Sequence, residues 1–167
     1  MKNRKEEFTL LMKQNMKPAY FSALSILGQH DEAMDVSQEA FIRAYNYFDK
    51  YDRNKKFFTW YYKILKNLCL NRIRDTKNKR ESDLESFSNL LSIESAEETY
   101  INEELKNKVS EALLDLKPEE REILILREFE NFSYKDIAEL LNIPEGSVMS
   151  KLFYTRKKLS KKLTSKM

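Results

Sequence analysis

Two glycines and three prolines in 167 residues leave this chain almost no means of building tight hairpins or Gly-rich phosphate loops, since average usage would supply roughly 12 and 8. A helical fold is the default. Charged residues reach 34%, yet 41% of residues are apolar and 12% aromatic, enough to build cores unlike a disordered chain. The length suits one ordinary domain or two small ones. The longest aliphatic stretch, Ile123-Leu124-Ile125-Leu126, is far short of the ~20 residues that span a bilayer. The Lys/Glu-rich start lacks the apolar run of a signal peptide, so a soluble cytoplasmic protein without membrane insertion is expected. Cys69 and His30 are the only residues of their kinds. An intramolecular disulfide and a Cys/His zinc cluster are therefore excluded, and Cys69 is expected to fill a helix interface. No catalytic residue, metal or cofactor is expected.

Charge is segregated in blocks. Lys63 to Arg80 holds seven basic residues against one acidic, Glu81 to Thr99 holds six acidic and none basic, and Glu145 to Met167 returns to seven against one. Blocks of one sign mark polyelectrolyte-binding faces or solvated tails. The acidic, Ser-rich stretch ESDLESFSNLLSIESAEET has little helical periodicity and reads as a linker. Residues 1–80 and 100–167 then form two small helical domains, joined by an acidic linker at 81–99, in an all-α chain.

Helical spacing fills in both halves. Phe8 to Leu27 reads as a helical segment interrupted near Pro18 and closed by Gly28. Asp31 to Phe48 follows with Ala33, Val36, Ala40, Ala44 and Phe48 on one face, and Asp35, Gln38, Glu39, Arg43 and Asn46 on the other. After a polar turn at Asp52 to Lys56, a third helix from Phe57 to about Arg74 should point Trp60, Ile64, Leu68 and Ile73 inward. Beyond the linker, Ile101, Leu105, Val109, Ala112 and Leu116 make another stripe. Pro118-Glu119-Glu120 suits the first turn of a helix running to about Phe129, because proline lacks an amide there and carboxylates favour the positive dipole end.

Residues 133 to 159 carry the strongest pattern. Ser133 can cap a short helix through Leu141 that presents Ile137, Ala138 and Leu141. A second helix presents Val148, Leu152, Thr155 and Leu159, and Asn142 can take the left-handed conformation between them. This is a helix-turn-helix. With its apolar side inward, the second helix exposes Glu145, Ser147, Ser150, Lys151 and Tyr154 near its start, where such helices reach base edges. Arg156, Lys157, Lys158 and Lys161 lie further along and suit phosphates. An ordinary helical pair explains the apolar positions equally well, but not the basic, short-chained outward side. In the first half, aromatics beside bases, as in KKFFTWYYKILKNLCLNRIR, suit unstacked bases and their phosphates, although Trp60 and Phe57 at helical spacing also fit a core.

Pro18-Ala19-Tyr20 with Gly28, Asp35-Val36-Ser37-Gln38-Glu39-Ala40-Phe41, Phe57 with Trp60, Asn67-Leu68, Lys117-Pro118 and the helix-turn-helix occur in this order and approximate spacing in one family. The chain resembles the extracytoplasmic-function (ECF) sigma factors, small two-domain bacterial initiation factors of RNA polymerase, over nearly its whole length. The resemblance implies a first domain that docks on the clamp helices of the polymerase β′ subunit through Asp35, Gln38, Glu39 and Arg43. The same domain would capture the opened minus-ten strand through Trp60, Lys63, Asn67, Asn71, Arg72, Arg74 and the loop before them. It implies a second domain that meets the β flap and reads duplex DNA at the minus-thirty-five element through Glu145, Ser147, Ser150, Lys151, Tyr154, Arg156, Lys157 and Lys158. The acidic segment would lie near the RNA exit path as a mimic of nascent RNA, and an anti-sigma factor would regulate the protein. Met149, Phe153 and Tyr154 stand where many family members carry basic or imidazole groups, and Met34 and Ser37 also depart from common choices, so the promoter sequence does not carry over. The other reading of the residues is a conventional helix-turn-helix repressor or activator.

Overall fold

The computed structural model describes residues 3–75 and 103–166, so the acidic stretch at 81–99 and Ile101 lie outside the described residues. Helix α1, Arg4–Leu27, starts where the Asn3 side chain accepts from the Lys5 amide and where Glu6 and Glu7 favour the positive dipole end. Contrary to the expected interruption, it runs through Pro18. An interior proline costs about 3 kcal/mol, and burial on every side of the following turns holds the helix together: each residue from Phe21 to Leu27 is buried. Gly28 then ends it at φ 77°, its amide returning to the Leu24 carbonyl, a conformation that suits a residue without Cβ.

Helix α2, His30–Asn46, buries Ala33, Val36, Ser37, Ala40, Phe41 and Ala44, and Phe48 follows in a single 3-10 turn. The expected inward positions Ala33 through Phe48 are all in the core. Helix α3, Phe57–Asp75, is where the expected phase fails: its buried residues are Phe57, Phe58, Tyr61, Tyr62, Leu65, Leu68 and Cys69, while Trp60, Ile64 and Ile73 are half-buried. The run FFTWYY has no charged residue, and only Thr59 without a ring, to break the degeneracy, so spacing alone could not choose the face. Rings decide it. Phe8 sits edge-on to Tyr45, Phe48 and Phe57, Phe41 stacks on Tyr61 at 4.3 Å, and the buried Tyr61 hydroxyl donates to the Ser37 carbonyl. Cys69 is buried there as expected.

The second half begins with helix α4, Glu103–Leu114, in which Ala112 and Leu113 are buried and Leu105 is exposed. Helix α5, Pro118–Leu124, opens with proline, and the Lys117 amide donates to the Glu120 carboxylate. A π turn at Ile125–Phe129 continues it. Helix α6, Tyr134–Leu141, is capped by Ser133, whose hydroxyl accepts from the Asp136 amide at 3.0 Å, and ends at Asn142 with φ 53°. Helix α7, Glu145–Lys166, buries Val148, Leu152 and Thr155 against α6 and α5. On α6 the buried pair is Ile137 and Leu140, with Ala138 and Leu141 half-buried.

The halves share one core. Helix α1 packs against α2 and α3 on one side and against α5 and the π turn on another, and α3 meets α6. A helix without a charged residue on any side is readily covered all round, and Phe21-Ser-Ala-Leu-Ser-Ile-Leu27, its two serines included, is buried throughout.

Candidate nucleic-acid and polymerase interfaces

The helix-turn-helix of α6 and α7 leaves the outer side of α7 open. Ser150, Lys151, Tyr154 and Lys157 are exposed there, and Ser147 is half-buried. The Ser150 hydroxyl is turned back onto the Gly146 carbonyl at 2.8 Å. Two of the sequence-predicted cations are engaged within the protein: Arg156 donates to Glu128 at 2.7 Å and Lys158 to Glu120 at 3.0 Å. Helical geometry at about 100° per residue places Ser147, Ser150, Lys151, Tyr154, Lys157 and Lys158 on one broad face, with Glu145 and Arg156 on the opposite side, next to the buried Val148 and Leu152. Phe153, 61% exposed, and Met149, 55% exposed, border that face, and the Phe153 ring meets Tyr154 edge-on at 5.3 Å. The sequence reading noted these two only as departures; their lack of apolar partners along the Val148-Leu152-Thr155 stripe was the available signal.

On α3 the spacing of three and four aligns Trp60, Lys63, Asn67, Asn71 and Arg74 on one stripe, and Arg74 donates to the Asn71 side chain at 2.6 Å. Arg72 is not part of it. It points toward α2, with its guanidinium 3.4 Å from Asp35. Trp60 is half-buried, its ring 5.3 Å from Tyr51 and 5.8 Å from Phe57, so it forms the wall of a cleft rather than its centre. That cleft, about 910 Å³, is bordered by Lys50, Lys55, Lys56 and Lys63 from the first half and by Lys135 and Asp136 from the second. Its five lysines, set against the carboxylates of Asp52, Asp136 and Glu139, and its indole suit a strand whose bases stack while its phosphates pair. Lys50, Lys55 and Lys56 were not named individually from the sequence, although the loop before Trp60 was expected to take part in holding the strand.

Helix α2 presents Asp35, Gln38, Glu39 and Arg43 outward, with Arg43 donating to Glu39 at 2.7 Å. Ile42, 65% exposed, sits amid them and was missed because a lone aliphatic residue on a polar face carries no periodicity. An apolar anchor ringed by polar groups is the usual layout of a protein contact.

Two lysines reach carboxyl groups across the junction between the halves. Lys56 Nζ is 2.7 Å from Asp136 Oδ2, and Lys66 Nζ is 3.2 Å from Glu122 Oε1. Burial raises the Asp136 carboxyl, but hydrogen bonds to Lys56 and Ser133 outweigh it and hold the group below its ordinary value. Burial alone pushes Glu122 up to about 8 and pulls Lys66 down. Among the described residues no group of His, Cys, Asp and Glu could hold a metal ion, and no helix is long and apolar enough to cross a membrane.

A helix-turn-helix joined to a helical unit with an aromatic and basic strand cleft matches the sigma-70 family. The region 2 model covers residues 11–79 and the region 4 model residues 106–159, and the chain belongs to that family. Within it the chain is an ECF sigma factor, an RNA polymerase specificity subunit, and the repressor or activator reading is not favoured. It is 35% identical over 147 residues to the ECF RNA polymerase sigma factor SigW of Bacillus subtilis, covering 83% of this chain and 79% of that protein. It is 35% identical over 145 residues to the RNA polymerase sigma-H factor of Pseudomonas aeruginosa, covering 80% and 75%. The solved sigma factor RpoE in complex with the anti-sigma factor NepR, from Bartonella quintana, shares the fold at a TM-score of 0.75 and 21% identity, covering 95% of this chain and 97% of that one.

Proposed function

We propose that residues 1–80 and 100–167 divide the work of promoter recognition in the cytoplasm, with 81–99 as their acidic tether. The α2 face of Asp35, Gln38, Glu39 and Arg43, with Ile42 among them, meets the β′ clamp helices. The α3 stripe of Trp60, Lys63, Asn67, Asn71 and Arg74, with the lysines of the preceding turn, takes the opened minus-ten strand. Helix α7 enters the major groove at the minus-thirty-five element, and the second unit also meets the β flap. The chain supplies binding and strand capture, while nucleotide transfer stays with the polymerase. An anti-sigma factor is the expected regulator, in keeping with the solved sigma factor RpoE, which is a complex with the anti-sigma factor NepR.

The observation that carries this reading is the pairing, in one chain, of a strand cleft walled by Trp60 and lysines with a helix-turn-helix whose outer side is basic. Mapping transcript starts made by purified core polymerase plus this protein on fragmented genomic DNA tests it. New, discrete start sites are expected, and an unaltered start profile would overturn the reading. Charge reversal in Glu39→Lys is expected to weaken core association at least tenfold by fluorescence anisotropy. Intact core affinity would remove that face from the assignment.

A further inference from the structure

The leading turns of α7 carry an apolar edge left open to solvent. Met149 and Phe153, 55% and 61% exposed, lie one helical turn apart, and the Tyr154 ring meets Phe153 edge-on. Gly146 extends the row toward the helix start, where a Cβ would meet nothing within 4 Å. Spacings of three and four put Gly146, Met149 and Phe153 in line, with the exposed Ser150, Lys157 and Lys161 running beside them. Burial of Val148, Leu152 and Thr155 fixes the rotation of the helix. The apolar edge therefore points outward together with the lysines.

The polar inventory of the same turns narrows what the edge can read. From Glu145 to Thr155 there is no arginine, asparagine or glutamine, the side chains best suited to pair bidentately with guanine or adenine in the major groove. Arg156 lies on the opposite side and is held by Glu128 at 2.7 Å. The Ser150 hydroxyl donates to the Gly146 carbonyl at 2.8 Å, and Lys151 is the one cation of this stretch. The thymine C5-methyl is the apolar group that base pairs present in the major groove. Phe153 or Met149 set against guanine, adenine or cytosine would strip water from N7, O6, N6 or N4 without returning a partner, whereas a methyl gains by leaving water. Lysines 151, 157 and 161 match the phosphates that flank the groove.

We propose that Met149 and Phe153 are specificity-determining residues that select thymine in the upstream duplex, each packing on a C5-methyl group while α7 lies in the major groove. This rests on the duplex-reading role of α7 proposed above and assigns the base class read at two of its positions. Discrimination there comes from a methyl group and not from a hydrogen bond. The two residues are about 6 Å apart along the helix axis at 1.5 Å per residue, so their thymines fall within about two base-pair steps of each other.

Core polymerase loaded with the full chain is first used to enrich promoters from a library randomised upstream of the transcript start. Each thymine of the enriched upstream element is then replaced by deoxyuridine, which keeps every hydrogen-bonding group and lacks only the methyl, and promoter binding is compared by competition. Wild type is expected to lose about fourfold per methyl at one or two neighbouring positions. Phe153→Ala and Met149→Ala are each expected to bind the thymine promoter more weakly and to be indifferent to the swap at their own thymine, whereas Phe153→Leu keeps the distinction. Equal binding of thymine and deoxyuridine promoters by wild type, enrichment of an element without thymine, or full discrimination retained by either alanine variant would overturn the proposal. An alanine variant that instead lost affinity for core polymerase without DNA would overturn it too, giving the edge to a protein partner. Failure to enrich any upstream sequence would overturn the underlying duplex-reading function.

Discussion

Glu122 shows how a single carboxyl can be costly and still retained. It is 3% exposed, faces Lys66 across the junction and follows the buried Arg121 in α5. Because burial raises its pKa to about 8 from 4.5, the folded form holds a proton that the unfolded form has released between those values. Stability from this group is therefore fully present below about pH 4.5, declines as pH rises and is lost above about pH 8. Lys66, lowered by burial, acts with opposite slope and nearer its own ordinary range. Glu122→Gln removes the declining contribution. Thermal melts from pH 5 to 9 are expected to show wild type losing on the order of 2 kcal/mol relative to the Gln variant, roughly 5 °C. Parallel melting curves across that range would show that Glu122 is ionised in the fold. None of this was legible in the sequence, where Glu122 looks like any helix-surface acid; its burial follows from a partner helix 50 or more residues away.

At the scale of elements, legibility tracked how distinct each helix's faces are. Helix α2 alternates small apolar with charged residues and was read correctly. In α3, six consecutive residues from Phe57 to Tyr62 offer only one that is not aromatic, so its inward face was assigned one position off, although the polar stripe from Lys63 to Arg74 was visible. Helix α1 ran through Pro18 because of packing that local propensity does not contain. The helix-turn-helix was legible because its turn chemistry is local. Asn142 at φ 53° is tolerable there only for a residue that accepts the left-handed region. Asn142→Ala is expected to cost about 1 kcal/mol and Asn142→Gly close to nothing, as read from urea midpoints; equal losses would point to a side-chain contact instead. Helix α7 makes a second comparison possible. Lys157 is exposed, whereas Lys158 is half-buried against Glu120. Lys157→Ala should flatten the salt dependence of duplex binding by about one unit of log–log slope, and Lys158→Ala by less, with part of its effect appearing as lost stability. Identical slopes would mean that Lys158 leaves Glu120 when DNA binds.

The whole molecule is where sequence reasoning stopped, because two helical units joined by a charged segment read the same whether they pack together or stay apart. The absence of any charged residue from Phe21 to Leu27 was the one available sign that α1 must be covered twice. A core continuous from Phe8 through Leu152 has a thermodynamic consequence: neither half should melt alone. Trp60 is the only tryptophan, so its fluorescence follows the first half while far-UV circular dichroism follows every helix. In wild type the two signals are expected to give one coincident transition. Phe132→Ala removes a half-buried ring that stacks on Phe58 across the halves, at a cost of about 2 kcal/mol, lower than for a fully buried phenylalanine. Because that ring couples the units more than it fills either, its loss should pull the signals apart rather than shift them together. The Trp60 transition would then stay within a few degrees of its original midpoint while the remaining helical signal melts earlier. A joint shift of both signals, still superimposed, would mean that the shared packing of α1 alone suffices to couple the halves and that Phe58 and Phe132 merely fill space.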